Sequence, residues 1–243
     1  MSGVPVAEAL PVVTRRVATD DPCYMSIVPD FVSSLRRHGW ANVDGVRDSL
    51  GMMGVAHTLG QPVPSPTGEL VKSISPTDPS MSRQGTFSAS HGRGIIPFHT
   101  DTAFWARPSR YLVFRVTGDC RRQTALLQFE QVWLRLSRSA RTAVERSVWR
   151  TPRRTGGIYC SMRFFEGQSR GWRFDPKVMK PANASARRAL EEVTHAIDEA
   201  TDRIRVSWED TDCIVVDNWH VLHARGAAPA GEGDRVLFRI YVR

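Results

Sequence analysis

The chain has 243 residues, 41% hydrophobic and 24% charged, which supplies enough apolar material for one domain with a core. Its apolar stretches are short and interrupted, far below the roughly 20 residues of a membrane-spanning helix. The opening MSGVPVAEALPVV has no basic start and does not read as a secretory signal. A membrane protein, a coiled coil and a disordered tail are therefore excluded. The 33 Lys+Arg against 25 Asp+Glu give a net charge of +8, nearly all of it arginine, since Lys72, Lys177 and Lys180 are the only lysines. Such a balance favours acidic partners, or reflects an arginine-rich genome composition. Four cysteines (Cys23, Cys120, Cys160, Cys213) form no CxxC pattern. Neither structural zinc nor a disulfide framework is expected, and a reducing cytoplasm is the natural compartment.

In chain order, residues 1–22 read as a loosely held leader. FVSSLRRHG predicts a helix with Phe31, Val32 and Leu35 on one side, closed at Gly39. WANVDG predicts a short strand and turn, and VRDSLGMMGVAHTLG a second helix ending at Gly60. Residues 61–94 are rich in Ser, Thr, Pro and Gly and predict long loops, as does RTPRRTGG at 150–157. Strand-like segments follow from Gly94: GIIPFHTDTAFW, SRYLVFRVTG, RQTALLQF, GIYCSMRFF, IRVSWED, DCIVVDNWHVLHARG and RVLFRIYVR. Helical pattern returns only in 129–149 and 185–202, the latter with Ser185 as the expected N-cap and a Leu190, Val193, Ile197 stripe. The reading is a single mainly β domain over 1–243. It is an antiparallel sandwich or barrel of the jelly-roll kind with flanking helices and a partly helical insertion over 129–205.

Three elements carry candidate chemistry. In His99-Thr100-Asp101, strand alternation would send the imidazole and the carboxylate to one face, as two cis ligands of a metal require. A strand histidine bonded to a neighbour is the plainer alternative. In DNWHVLHARG, His223 shares a face with Val221 and Arg225, and His220 points the other way. Two histidines and one carboxylate on one face of an octahedron suit a non-haem iron(II) centre, without excluding zinc or manganese. In the last strand Arg235, Leu237, Arg239 and Tyr241 share a face, and two arginines in so apolar a strand call for anionic partners.

Taken together, HTDTAF, DNWHVLHARG and DRVLFR resemble the TauD/TfdA and clavaminate-synthase-like Fe(II)/2-oxoglutarate-dependent dioxygenases, over a span from about Arg36 to the C-terminus. The resemblance implies a double-stranded β-helix (jelly-roll, cupin-like) core. It implies His99, Asp101 and His223 as catalytic iron ligands, Arg235 and Thr124 as holders of the distal carboxylate of 2-oxoglutarate, and O₂ as the oxidant. Around Thr124 the sequence reads RRQT rather than the commoner Gly-Gly-Asp-Thr. Arg239 matches an arginine that meets an acidic group of the prime substrate, and Arg93 and Phe104 are further candidates for lining the substrate pocket. Family halogenases lack the carboxylate ligand, so Asp101 points to hydroxylation, desaturation or cyclisation. The implied substrate is a small carboxylate-bearing molecule, an amino acid or derivative in specialised metabolism, either free or tethered to an acidic carrier protein. A homodimer is compatible with this reading. Nucleic-acid binding is disfavoured, because the strands interleave their aromatics with Leu, Ile and Val rather than with basic residues.

Overall fold

The computed structural model describes residues 31–75, 91–92, 94–153, 156–208, 211–227, 229 and 235–243. The expected leader, residues 76–90 of the long loop, and Arg93 lie outside them. Helix α1 (described over 31–38) ends where the sequence reading put it. Gly39 takes φ +78° and its N–H bonds Leu35 O at 2.8 Å. A Cβ there would lie 2.5 Å from Val221 Cγ2, so both the left-handed backbone and the close approach require glycine. Next come β1 (Trp40–Val43) and α2 (Ser49–Leu59), the latter capped by Asp48 accepting from Gly51 N. The short strands β2 (Pro62–Val63) and β3 (Lys72–Ile74) interrupt the expected loop.

Then come β4 (Ile96–His99), β5 (Tyr111–Gly118) and β6 (Thr124–Gln128), followed by helices α3 (Phe129–Arg135) and α4 (Arg138–Glu145). The insertion continues with β7 (Trp149–Arg153), β8 (Gly156–Cys160), β9 (Arg163–Glu166), β10 (Ser169–Trp172), β11 (Lys180–Pro181) and α5 (Ala184–Asp198). The chain closes with β12 (Ile204–Val206), β13 (Cys213–Asp217), β14 (Val221–Arg225) and β15 (Arg235–Val242).

Two antiparallel sheets make the core. The larger runs β1-β13-β5-β15-β2, with β3 also on β15, and the smaller runs β12-β6-β14-β4. Side chains alternate as the pleat demands. Leu112, Phe114, Ile214, Val216 and Tyr241 of the larger sheet meet Leu126, Val206 and Val221 of the smaller one between the layers. The opposite face of the larger sheet (Val113, Val215, Ile240, Val242) is covered by Phe31, Leu35, Met52 and Val55 from α1 and α2. The outer face of the smaller sheet (Leu127, Leu222) is covered by Phe129, Val132, Val144, Val193 and Ile197 from α3, α4 and α5. This is the double-stranded β-helix with flanking helices.

Two local expectations change. The described residues of RTPRRTGG pair as strands rather than forming a loop, because Trp149, wholly buried, anchors β7 and pairs with Cys160 on β8. Helix α5 starts one residue before Ser185, and its cap is Asn183, whose Oδ1 accepts from Ala186 N at 2.8 Å. Asn183 has the extended backbone a cap needs, φ −140° and ψ 174°, while Ser185 already lies in the first turn. Among the described residues no helix is long and apolar enough to cross a membrane, and Cys120, Cys160 and Cys213 are free thiols.

Candidate metal centre

His99 and His223 face each other across the β4–β14 pair, where they are register partners, with ring centroids 4.3 Å apart. Asp101 completes the group. Its Oδ1 lies 3.6 Å from His99 Nε2 and 3.9 Å from His223 Nε2. One potential ligand atom from each residue fits within a 4.8 Å cluster, and all three are buried. The ring tautomer of His99 is set from behind, since Nδ1 meets the Pro97 carbonyl at 2.8 Å and leaves Nε2 turned towards the cluster. His223 packs against Phe114, and its Nδ1 has no hydrogen-bond partner among the described residues.

Asp101 reaches this position by a different route from strand alternation. Strand β4 stops at His99, and Asp101 lies in a turn followed by Thr102 at φ +56°. A β-branched residue in the left-handed region costs on the order of 1–2 kcal/mol, so the turn persists only because its neighbours over-determine it. Thr102 Oγ1 donates to Asp101 O and accepts from Ser109 N, while Thr100 exchanges hydrogen bonds with Phe174. Asn218, fully buried, closes the turn. Its Oδ1 accepts from Asp101 N at 2.8 Å, and its Nδ2 donates to Asp101 O at 3.0 Å and Ser109 O at 2.9 Å.

Asn218 belongs to the DNWHVLHARG stretch that drew attention for His223, but no role was expected of it. Asn218→Ala is expected to destabilise the fold by roughly 2–4 kcal/mol, since the amide N–H of Asp101 and the carbonyl of Ser109 would lose their Asn218 partner. Chemical denaturation of the purified variant would measure this, and a loss under about 1 kcal/mol would mean water replaces the clamp.

The carboxylate is divided between two tasks. Oδ1 faces the histidines, and Oδ2 accepts from Arg239 Nη1 at 2.7 Å. Burial by itself would raise the Asp101 carboxyl, but Arg239 and the two histidines outweigh it and hold the group far below the usual carboxylate range. For His223, burial and the charge of His99 push the imidazole down to about 3, so this ring is neutral at ordinary pH. For His99, burial opposes the charge, but Asp101 prevails and raises it.

The other sequence candidates fall as follows. Arg235 and Arg239 lie on the face of β15 that looks between the sheets, with Leu237 and Tyr241. Arg235 is buried, with Nη1 4.0 Å from Cys120 Sγ. Arg239, expected to meet a substrate acid, has one nitrogen on Asp101, while its Nε makes no hydrogen bond among the described residues. Thr124 opens β6 and its Oγ1 accepts from Trp208 Nε1 at 3.0 Å. Phe104 lies edge-on to Trp105, and it is Trp105 that packs on Tyr241 at the interior. His220 is in the tight turn between β13 and β14 rather than on the strand, and its Nδ1 meets Asp217 at 3.1 Å. Arg225 holds the carbonyls of Gly92 and Gly94, at the approach to β4.

Arg173 and Asp175 join the site without having been expected there. Arg173, buried, donates to the carbonyls of Ala103, Trp105 and Ala106 and so fixes the segment that follows the Asp101 turn. Asp175 is a buried carboxylate raised by burial, against which His99 acts to lower it. Neither has a periodicity signal, because both lie in an irregular stretch after β10.

Residues 128–241 match the taurine catabolism dioxygenase TauD, TfdA family. That match spans just under half of the chain. In fold the chain is similar to solved oxygenases at low identity. An asparagine oxygenase in complex with Fe(II), 2S,3S-3-hydroxyasparagine and succinate aligns with 20% identity and TM-score 0.69, over 90% of this chain and 79% of that one. The non-haem iron oxygenase OrfP, in complex with Fe, succinate and (3S)-hydroxy-L-Arg, aligns with 17% identity and TM-score 0.67, over 93% and 87%. PvcB from Pseudomonas aeruginosa aligns with 16% identity and TM-score 0.63, over 87% and 78%. Among curated proteins, none matches the chain by sequence.

Proposed function

We propose that the protein is a 2-oxoglutarate-dependent non-haem iron oxygenase that oxidises a small amino-acid-like substrate, with His99, Asp101 and His223 as the iron ligands. The observation that carries this reading is the buried His₂Asp cluster, whose donor atoms gather within 4.8 Å at the interior of a TauD/TfdA-like double-stranded β-helix. The donor set fits the metal. Two neutral imidazole nitrogens and one carboxylate oxygen on one side leave cis positions open, the arrangement suited to iron(II) oxygen chemistry. When bound, iron with 2-oxoglutarate and O₂ supplies the oxidising power: the cosubstrate is decarboxylated to succinate and CO₂ while a substrate C–H bond is oxidised.

The protein's own groups do the rest. Asp101 stays ionised because Arg239 holds Oδ2, and that contact also aims Oδ1 at the metal position. Arg235, buried on the same strand face, is the counter-ion for the distal carboxylate of the cosubstrate, and Thr124 supports that carboxylate from the neighbouring sheet. The inter-sheet aromatics around the cluster, Phe114 and Tyr241, keep water from it.

Arg239 also faces the substrate. With Nη1 on Asp101, the rest of its guanidinium can take a substrate carboxylate, which fixes the distance from the metal to the oxidised carbon. Arg239→Ala is expected to uncouple the reaction, so that 2-oxoglutarate is still consumed slowly while oxidised product falls away. Measuring succinate and product in the same samples decides it, and equal coupling in variant and wild type would confine Arg239 to holding Asp101.

The substrate class is tested by succinate formation with Fe(II), ascorbate and a panel of free amino acids and small carboxylates. The neighbouring oxygenases hold hydroxyasparagine and hydroxyarginine, so polar amino acids lead the panel. Stimulation by one of them supports the reading. Stimulation only when the amino acid is loaded on an acidic carrier protein would move the substrate to a tethered form, and none in either arm would refute it.

A further inference from the structure

Away from the buried cluster the surface holds a cleft of about 340 Å³, lined among others by Arg36, Arg37, Arg110, Arg170, Glu130 and Asp217. Its charge is poorly balanced. Arg170 pairs with Glu130 at 3.2 Å, and Asp217 takes His220 at 3.1 Å with Arg110 Nε at 3.8 Å. Arg36 and Arg37 form no ion pair among the described residues, and Arg110 Nε is buried with no hydrogen-bond acceptor. Two of the guanidiniums, those of Arg110 and Arg36, act on one group, the Tyr111 phenol. For the Tyr111 phenol, burial and Asp217 raise the pKa, while Arg110 and Arg36 both lie near enough to pull it down. The C-terminal partial charge of α1 offsets only about half a unit of this positive charge. The cleft backs onto the turn that serves the candidate metal centre, since Asp217 and His220 line it while Asn218 clamps Asp101.

We propose that this cleft is a binding site for a phosphoryl dianion, either inorganic phosphate or the phosphate of a small monoester. Several guanidiniums approaching one cavity match an oxyanion that can accept from more than one of them, and a phosphoryl group meets the uncompensated charge of Arg36 and Arg37. The site is independent of the iron reading and of the anion-binding role given to Arg235.

The test is isothermal titration of inorganic phosphate, and separately of glycerol phosphate, into the full chain at constant ionic strength with chloride as the balancing anion. Saturable binding is expected in at least one arm. Binding in both means the site accepts an ester, and binding of inorganic phosphate alone means it takes the free ion. The exposed pair Arg36→Gln/Arg37→Gln should weaken binding roughly tenfold, as losing two solvent-accessible charge contacts implies, with an unchanged circular dichroism spectrum. Arg235→Gln should bind phosphate as the wild type does. No saturable binding in either arm, or binding lost with Arg235→Gln and kept in the double variant, would overturn the proposal.

Discussion

Asp101→Ala is expected to abolish both iron(II) binding and turnover. The cluster offers two nitrogens and one oxygen, and Oδ1 of Asp101 is the only anionic donor among them. Two neutral imidazoles alone hold a ferrous ion weakly, because the charge that offsets its desolvation is gone. The same change strands Arg239, whose side chain is 18% exposed and whose Nη1 loses its 2.7 Å partner. Breaking such a pair costs on the order of 3 kcal/mol, so a fall in melting temperature should accompany the loss of metal. Asp101→Asn separates the two effects. It keeps the shape and the contacts of the turn through the backbone, and should fold while still losing iron. Succinate formation at the wild-type rate in either variant would remove Asp101 from the ligand set.

Arg235→Ala is expected to raise the apparent Michaelis constant for 2-oxoglutarate by two decades or more. Arg235 is 5% exposed at the start of β15, on the inter-sheet face, and its charge has to be met within the fold or by a ligand. Removing one partner of a desolvated charge pair costs about 3–5 kcal/mol, and each 1.4 kcal/mol is tenfold in affinity. Steady-state kinetics in 2-oxoglutarate would show the rise, with iron affinity much less changed because Arg235 is not one of the three donor residues. A normal constant would move the cosubstrate's anchor elsewhere, with Arg225 the next arginine to test.

How much of this could be read from residues depended on periodicity. The period-2 alternation of β15 correctly put Arg235 and Arg239 with Leu237 and Tyr241 on the interior face, and Gly39 and Gly60 marked the ends of α1 and α2. The two histidines followed from the same logic, since both lie on strands. Asp101 was expected beside His99 by strand alternation, and the structure brings it there by another route. It converges on His99 through a turn held by Thr102 and Asn218, and backbone strain of that kind has no pattern in the sequence.

The contact between Arg239 and Asp101 was equally hidden, because it joins a strand of the larger sheet to a turn 138 positions away and nothing local encodes it. The β7–β8 pairing was not expected because its proline, glycines and arginines outweigh its strand formers, and only the burial of Trp149 decides the matter. Arg173 and Asp175 fall in irregular backbone, where neither alternation nor helical spacing distinguishes a buried charge from a solvated one.

Iron content decides whether His99, Asp101 and His223 form an iron site. It is measured by anaerobic equilibrium dialysis of the wild-type chain and of His223→Ala against Fe(II). One tightly held iron per wild-type chain, and none in the variant, is the expected result. Equal iron content in the two proteins would contradict it.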